Sequence, residues 1–157
     1  MINKRGHKTD KTVYMENAVH KYFIDKYGVE LKHEYHMKNG NIPDFYREVT
    51  VDGKKQDSII VEIKQTASDF YSGHGLNFTG MSNYIAVPTN LIGFAVEFLK
   101  DNFSYRQDIG ILEITDSGLI RTIRYPKWGF FYTISSAICR IVYKKDIIYN
   151  SILNGYN

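Results

Sequence analysis

The chain of 157 residues contains a single cysteine, Cys139, so it can form no intramolecular disulfide. That cysteine reads as a small apolar side chain on a carboxyl-terminal helix. No apolar run approaches the length of a membrane span, and the amino terminus lacks the hydrophobic region of a signal peptide. These absences predict a cytoplasmic protein with no membrane partner. Internal repeats, low-complexity segments, a phosphate-binding glycine loop, a zinc-ligand quartet and a nucleophile elbow are missing as well. Charge of one sign is also scarce: the formal net charge is +3, too small to identify a partner by itself.

With 43% hydrophobic residues, the chain can bury a core and reads as one compact domain over residues 1–157, of which residues 1–11 form a basic amino-terminal arm. Lys4, Arg5, Lys8 and Lys11 make that arm basic, and Arg121, Arg124, Lys127, Arg140, Lys144 and Lys145 do the same for the later part. Each cluster can contact phosphates or serve as a solvated face. His74, in a glycine-rich loop, has the same two readings. Thirteen tyrosines and nine phenylalanines can stack on unpaired bases or fill a core; the helical spacing of Tyr22, Phe23, Phe94 and Phe98 favours the core for these four.

Hydrophobic periodicity divides the chain into alternating element types. Residues 12–27 place Met15, Ala18, Val19, Tyr22 and Phe23 on one helical face, with Gly28 as the stop. Residues 31–37 read as a strand, with a turn at Asn39-Gly40. Residues 41–51 and 56–66 read as two more, joined at Asp52-Gly53. Ser68-Asp69 suits the start of a short helix before a glycine-rich segment. Residues 84–87 form a short buried strand stopped by Pro88, and Thr89 caps a helix over 90–101. Residues 109–115 and 119–124 form a second hairpin, and residues 133–153 a final helix. The fold class is therefore α/β, with a central mixed sheet flanked by helices.

Pro43-Asp44 on one strand and Glu62-Ile63-Lys64 on the next form a split acidic signature. Glu62 and Lys64 share a face because strand side chains alternate, and Ile63 points to the core. A two-residue Asp52-Gly53 turn would pair Asp44 with Val61 and put the two acids on opposite faces. A three-residue loop, Asp52-Gly53-Lys54, or a bulge brings Asp44 opposite Glu62. One extra residue is therefore predicted. Pro43, without an amide hydrogen, suits a strand start, an edge or a bulge.

On a common face, Asp44 and Glu62 offer oxygen ligands to Mg²⁺ or Mn²⁺, with the Ile63 carbonyl as a third. Lys64 would orient an attacking water or balance charge on a phosphoryl group. The competing reading is a charged solvent face on which Glu62 makes only cross-strand pairs. His33 and His36, three apart on a strand, face opposite ways and make a poor metal pair. Gln65 faces away from Glu62 and Lys64.

Together with Glu16 on the preceding helix, Pro43-Asp44 and Glu62-x-Lys64 resemble the signature of the PD-(D/E)xK nuclease superfamily. Its restriction-endonuclease-like core is a helix, a bent hairpin, then helix and strand. The order of Val61-Glu62-Ile63-Lys64, Ser68-Asp69-Phe70, Tyr84-Ile85-Ala86-Val87-Pro88 and Ile109-Gly110-Ile111-Leu112 is similar to a small bacterial and phage branch associated with DNA repair. The segment at residues 72–78 departs from that branch, where a lysine and a tryptophan occupy a clear helix.

The resemblance implies a metal-dependent nuclease acting on phosphodiester bonds in DNA through Asp44, Glu62 and Lys64. Glu16 would assist by positioning water, or else lie on the surface as an ordinary helix former. A nuclease-fold module that binds nucleic acid or a protein without turnover is the alternative. The sequence is compatible with a single chain and with a homodimer that brings two sites together.

Overall fold

A computed structural model of the chain describes residues 8–72, 75–103 and 106–127. The first helix, α1 (Asp10–Tyr27), starts slightly ahead of the expected boundary because Thr9 Oγ1 accepts the Thr12 N–H at 3.2 Å and caps the first turn. Gly28, at φ 64°, closes it, its N–H reaching the Ile24 carbonyl at 2.8 Å. The strand expected over 31–37 shrinks to β1 (Lys32–His33). Glu34 takes φ 46°, a conformation that leaves the extended region and ends the strand.

Next come β2 (Phe45–Val51) and β3 (Lys54–Ile63), the central hairpin. Its turn is not the three-residue loop: Val51 pairs with Lys54 across Asp52 and Gly53, which both adopt positive φ, as tight hairpin turns require. The extra residue is Gln56. Thr50 pairs with Lys55, then Val49 with Asp57, so a bulge restores the register that pairs Phe45 with Val61. Asp44 and Glu62 thereby come opposite each other by the second of the two predicted routes.

After β3 the chain forms α2 (Ala67–Tyr71), β4 (Ser82–Pro88), a 3₁₀ turn (Thr89–Leu91), α3 (Ile92–Phe103), β5 (Ile109–Ile114) and β6 (Ile120–Arg124). The six strands form one sheet in chain order. β3, β4 and β5 run parallel, while the β1–β2, β2–β3 and β5–β6 pairs are antiparallel. The expected final helix, with Cys139 and the basic residues Arg140, Lys144 and Lys145, lies outside the described residues.

Alternation along the strands makes two cores. Val61, Tyr84, Ala86 and Leu112 pack with Met15, Val19 and Phe23 of α1 on one face of the sheet. Ile85, Val87 and Ile111 pack with Phe70 of α2 and with Ala95 and Leu99 of α3 on the other. Each such side chain contributes roughly 1.5–3 kcal/mol on burial, so α1 is fastened to the sheet by its apolar stripe. Its polar residues Thr12 and Glu16 are carried to the end of β3 as a result. Among the described residues, no helix is long and apolar enough to cross a membrane.

Candidate active site

A cleft of about 320 Å³ opens where β3 ends, and Glu16, Asp44, Glu62, Ile63 and Lys64 all line it. Asp44 precedes β2 and is fixed by its main-chain neighbour across the hairpin: its Oδ2 accepts the Ile63 N–H at 2.7 Å. Lys64 leaves β3 on the opposite side, its N–H donating to the Ala86 carbonyl at 3.0 Å. The main chain at Ile63 thus faces the acids. Pro43, ahead of β2, is buried and leaves no orphan donor at the strand entry.

Burial governs the electrostatics. Glu62 and Lys64 are 6% and 5% exposed, although both carry ionisable groups. Desolvation, then the charge of Asp44 in hydrogen-bond contact, pushes the Glu62 carboxyl up to about 8, with Lys64 opposing the shift. Asp44 is also raised by burial, against the pull of the Ile63 N–H and of Lys64. At neutral pH the two acids therefore share a proton unless another cation is supplied.

Gly75 presses its main chain on Glu62. A Cβ there would lie 2.3 Å from Glu62 Oε2, and φ is +73°, so only glycine fits this close approach. The backbone at Gly75 thus covers Glu62.

One side chain enters the cleft that the strand pattern had assigned elsewhere. Gln65 lines the cleft and donates from Nε2 to Thr12 Oγ1 at 2.7 Å, contrary to the expected outward orientation. Alternation stops at Ile63, where β3 ends. Thr66 and Asp69 supply the reason: Asp69 Oδ2 accepts the N–H groups of Gln65 and Thr66, both at 2.9 Å, and opens α2. That Thr-x-x-Asp spacing is the sequence signal for where the strand must end.

His33 touches the cleft only through Glu16, its Nε2 lying 3.0 Å from Glu16 Oε1. Glu16 itself is turned toward the sheet, with its side chain 14% exposed. Lys8, read from sequence as a phosphate contact or part of a solvated face, places its ammonium 2.8 Å from Glu16 and 2.7 Å from Glu34. Lys4, Arg5 and His74 lie outside the described residues.

The donors suit a hard divalent cation in kind: two carboxylates in contact, with the Ile63 main chain beside them. Among the described residues, no three His, Cys, Asp or Glu side chains form a group that could hold a metal ion. No protein-family model matches the chain, and no curated protein matches its sequence.

Proposed function

We propose that the protein is a Mg²⁺- or Mn²⁺-dependent nuclease that hydrolyses phosphodiester bonds in DNA, acting in the cytoplasm in repair or phage-related DNA processing. One observation carries this reading: Asp44, Glu62 and Lys64 line a single cleft with Glu16 at the end of a bulged hairpin.

Asp44 and Glu62 would hold the ion with the Ile63 carbonyl, and the ion would neutralise phosphoryl charge and acidify water. Asp44 is oriented for this by the Ile63 N–H. Lys64, buried beside both acids, directs the attacking water at phosphorus and offsets the charge that grows on the phosphoryl oxygens. The water oxygen forms the new P–O bond as the bond to the leaving sugar oxygen breaks. One water proton passes to solvent and one is taken up by the departing oxygen. Gly75 and the buried strand end keep bulk water from the rear of Glu62.

Incubation of the purified protein with labelled single-stranded, duplex and branched DNA in Mn²⁺ tests the reading. Cleavage that EDTA abolishes is expected. Binding of DNA without cleavage of any substrate would leave the turnover-free module instead. Lys64→Ala should lower the cleavage rate by ~10²-fold or more while calorimetric Mn²⁺ binding stays within a few-fold, whereas Asp44→Ala should weaken both. Cleavage by Lys64→Ala at the parent rate would remove Lys64 from the chemistry.

A further inference from the structure

The face of the sheet that carries the acid pair continues away from the cleft. Side chains two apart on a strand share a face, so Tyr46 follows Asp44 on the side that Ile60 and Glu62 occupy, roughly 6.6 Å further along. Ile60 pairs directly with Tyr46. Phe45, between Asp44 and Tyr46, turns the other way into the core under α1. A hollow of about 30 Å³ shares Ile42, Glu62 and Gly75 with the cleft and reaches Ile60, so the surface from the acids to Tyr46 is continuous.

Two rings and a cation gather there. Lys32 on β1 stands opposite Tyr46 and so shares its face. An unbroken β1 would carry Tyr35 to the opposite face, that of His33. The φ of 46° at Glu34 breaks the alternation, and Tyr35 instead lies stacked on Tyr46, with ring centres 4.6 Å apart and planes 15° from parallel. Lys32 places its ammonium 5.2 Å from the centre of the Tyr35 ring. Among the described residues that ammonium makes no ion pair, and its side chain is exposed. Both tyrosines are only half-buried, and neither belongs to the two cores, since α2 and α3 cover β4 and β5 and leave this end of the sheet open.

We infer that Tyr35, Tyr46 and Lys32 form a stacking platform for an unpaired base next to the scissile phosphate, which makes single-stranded DNA the substrate class of the cleft. A base in a duplex hides its faces against its neighbours, whereas an unpaired base adds its face to an aromatic stack. Lys32, a cation without an anionic partner among the described residues, meets the phosphate that flanks this base. The position of the scissile phosphate rests on the nuclease reading; the platform itself does not.

Fluorescence anisotropy with a labelled oligothymidylate in EDTA tests the platform without turnover. The parent should bind this single strand ~10-fold more tightly than a duplex of equal length. Tyr35→Ala should lower the affinity for the single strand by ~10-fold, while Tyr35→Phe, which keeps the ring, stays within about twofold of the parent. An abasic oligomer should bind the parent and Tyr35→Ala alike, a result that damage to the fold would not give. Lys32→Gln, on an exposed side chain, keeps the test open if Tyr35→Ala does not fold: the slope of log affinity against log salt should become shallower by about 0.7. Equal parent affinity for single strand and duplex would overturn the proposal, as would single-strand binding by Tyr35→Ala at the parent level or an unchanged salt slope in Lys32→Gln. A parent that binds the single strand through Tyr35 but cleaves no DNA in Mn²⁺ would sink the nuclease reading and keep the platform. Metal-dependent cleavage that is indifferent both to strandedness and to Tyr35→Ala would do the reverse.

Discussion

A carboxyl group kept neutral by its surroundings takes up a proton in the folded state that the unfolded chain has already released. Glu62, raised from 4.5 to about 8 by burial and by Asp44, therefore supports the metal-free fold fully below about pH 4.5. That support is lost as pH rises through about 8, and the upward shift of Asp44 acts in the same direction. Glu62→Gln keeps the neutral shape. Urea titrations at pH 5 and pH 8 should find it close to the parent at the lower pH and more stable by ~1–3 kcal/mol at the higher one. A parent with no fall in stability over that interval would contradict the shared-proton description. At this scale the acids and Lys64 were legible because strand alternation is local and rigid. Gln65 and His33 were not: Gln65 lies beyond the strand end, and the partner of His33 sits on a helix remote in sequence.

Between the residues and the sheet stands the hairpin, whose parity decides whether the acids meet. The need for one extra residue followed from side-chain alternation, but its place did not, since a longer loop and a bulge satisfy parity equally. Asp52 and Gly53, both at positive φ, resolve the choice by favouring the tightest turn and displacing the surplus into β3. Deletion of Gln56 should consequently be tolerated. It leaves Val51 opposite Lys54 and Thr50 opposite Lys55, and brings Val49–Asp57 next in an unbroken ladder, with Asp44 still facing Glu62. Mn²⁺ affinity within about threefold of the parent is expected by calorimetry, a difference of less than ~0.7 kcal/mol. Loss of binding would mean that the bulge itself aims the strands, through its added twist, as well as counting residues.

For the molecule as a whole, the helix α1 face and the fully buried strands β4 and β5 were readable from their apolar spacing, as was a mixed sheet between helices. The two hairpins were readable too, but the parallel β3–β4–β5 neighbours were not, because that arrangement depends on crossovers that leave no local mark. Site and core are nonetheless one construction. Phe23, fully buried against Tyr84, anchors the helix that carries Thr12 and Glu16 to the cleft. Phe23→Ala should cost ~3–5 kcal/mol in equilibrium unfolding and loosen the site with it. An unchanged unfolding midpoint would show that α1 is held by other means. The left-handed turn at Glu34 has one more effect, on how copies of the chain meet. By halting β1 after two residues, it limits pairing with β2 to Phe45 and Tyr46 and, among the described residues, leaves residues 47–51 along an open margin of the sheet. Arg47 and Glu48 are exposed on that margin, and charged side chains there discourage a second chain from adding a strand. Among the described residues, the kink at Glu34 thus leaves this border of the sheet unpaired, and these charges oppose the addition of a strand there.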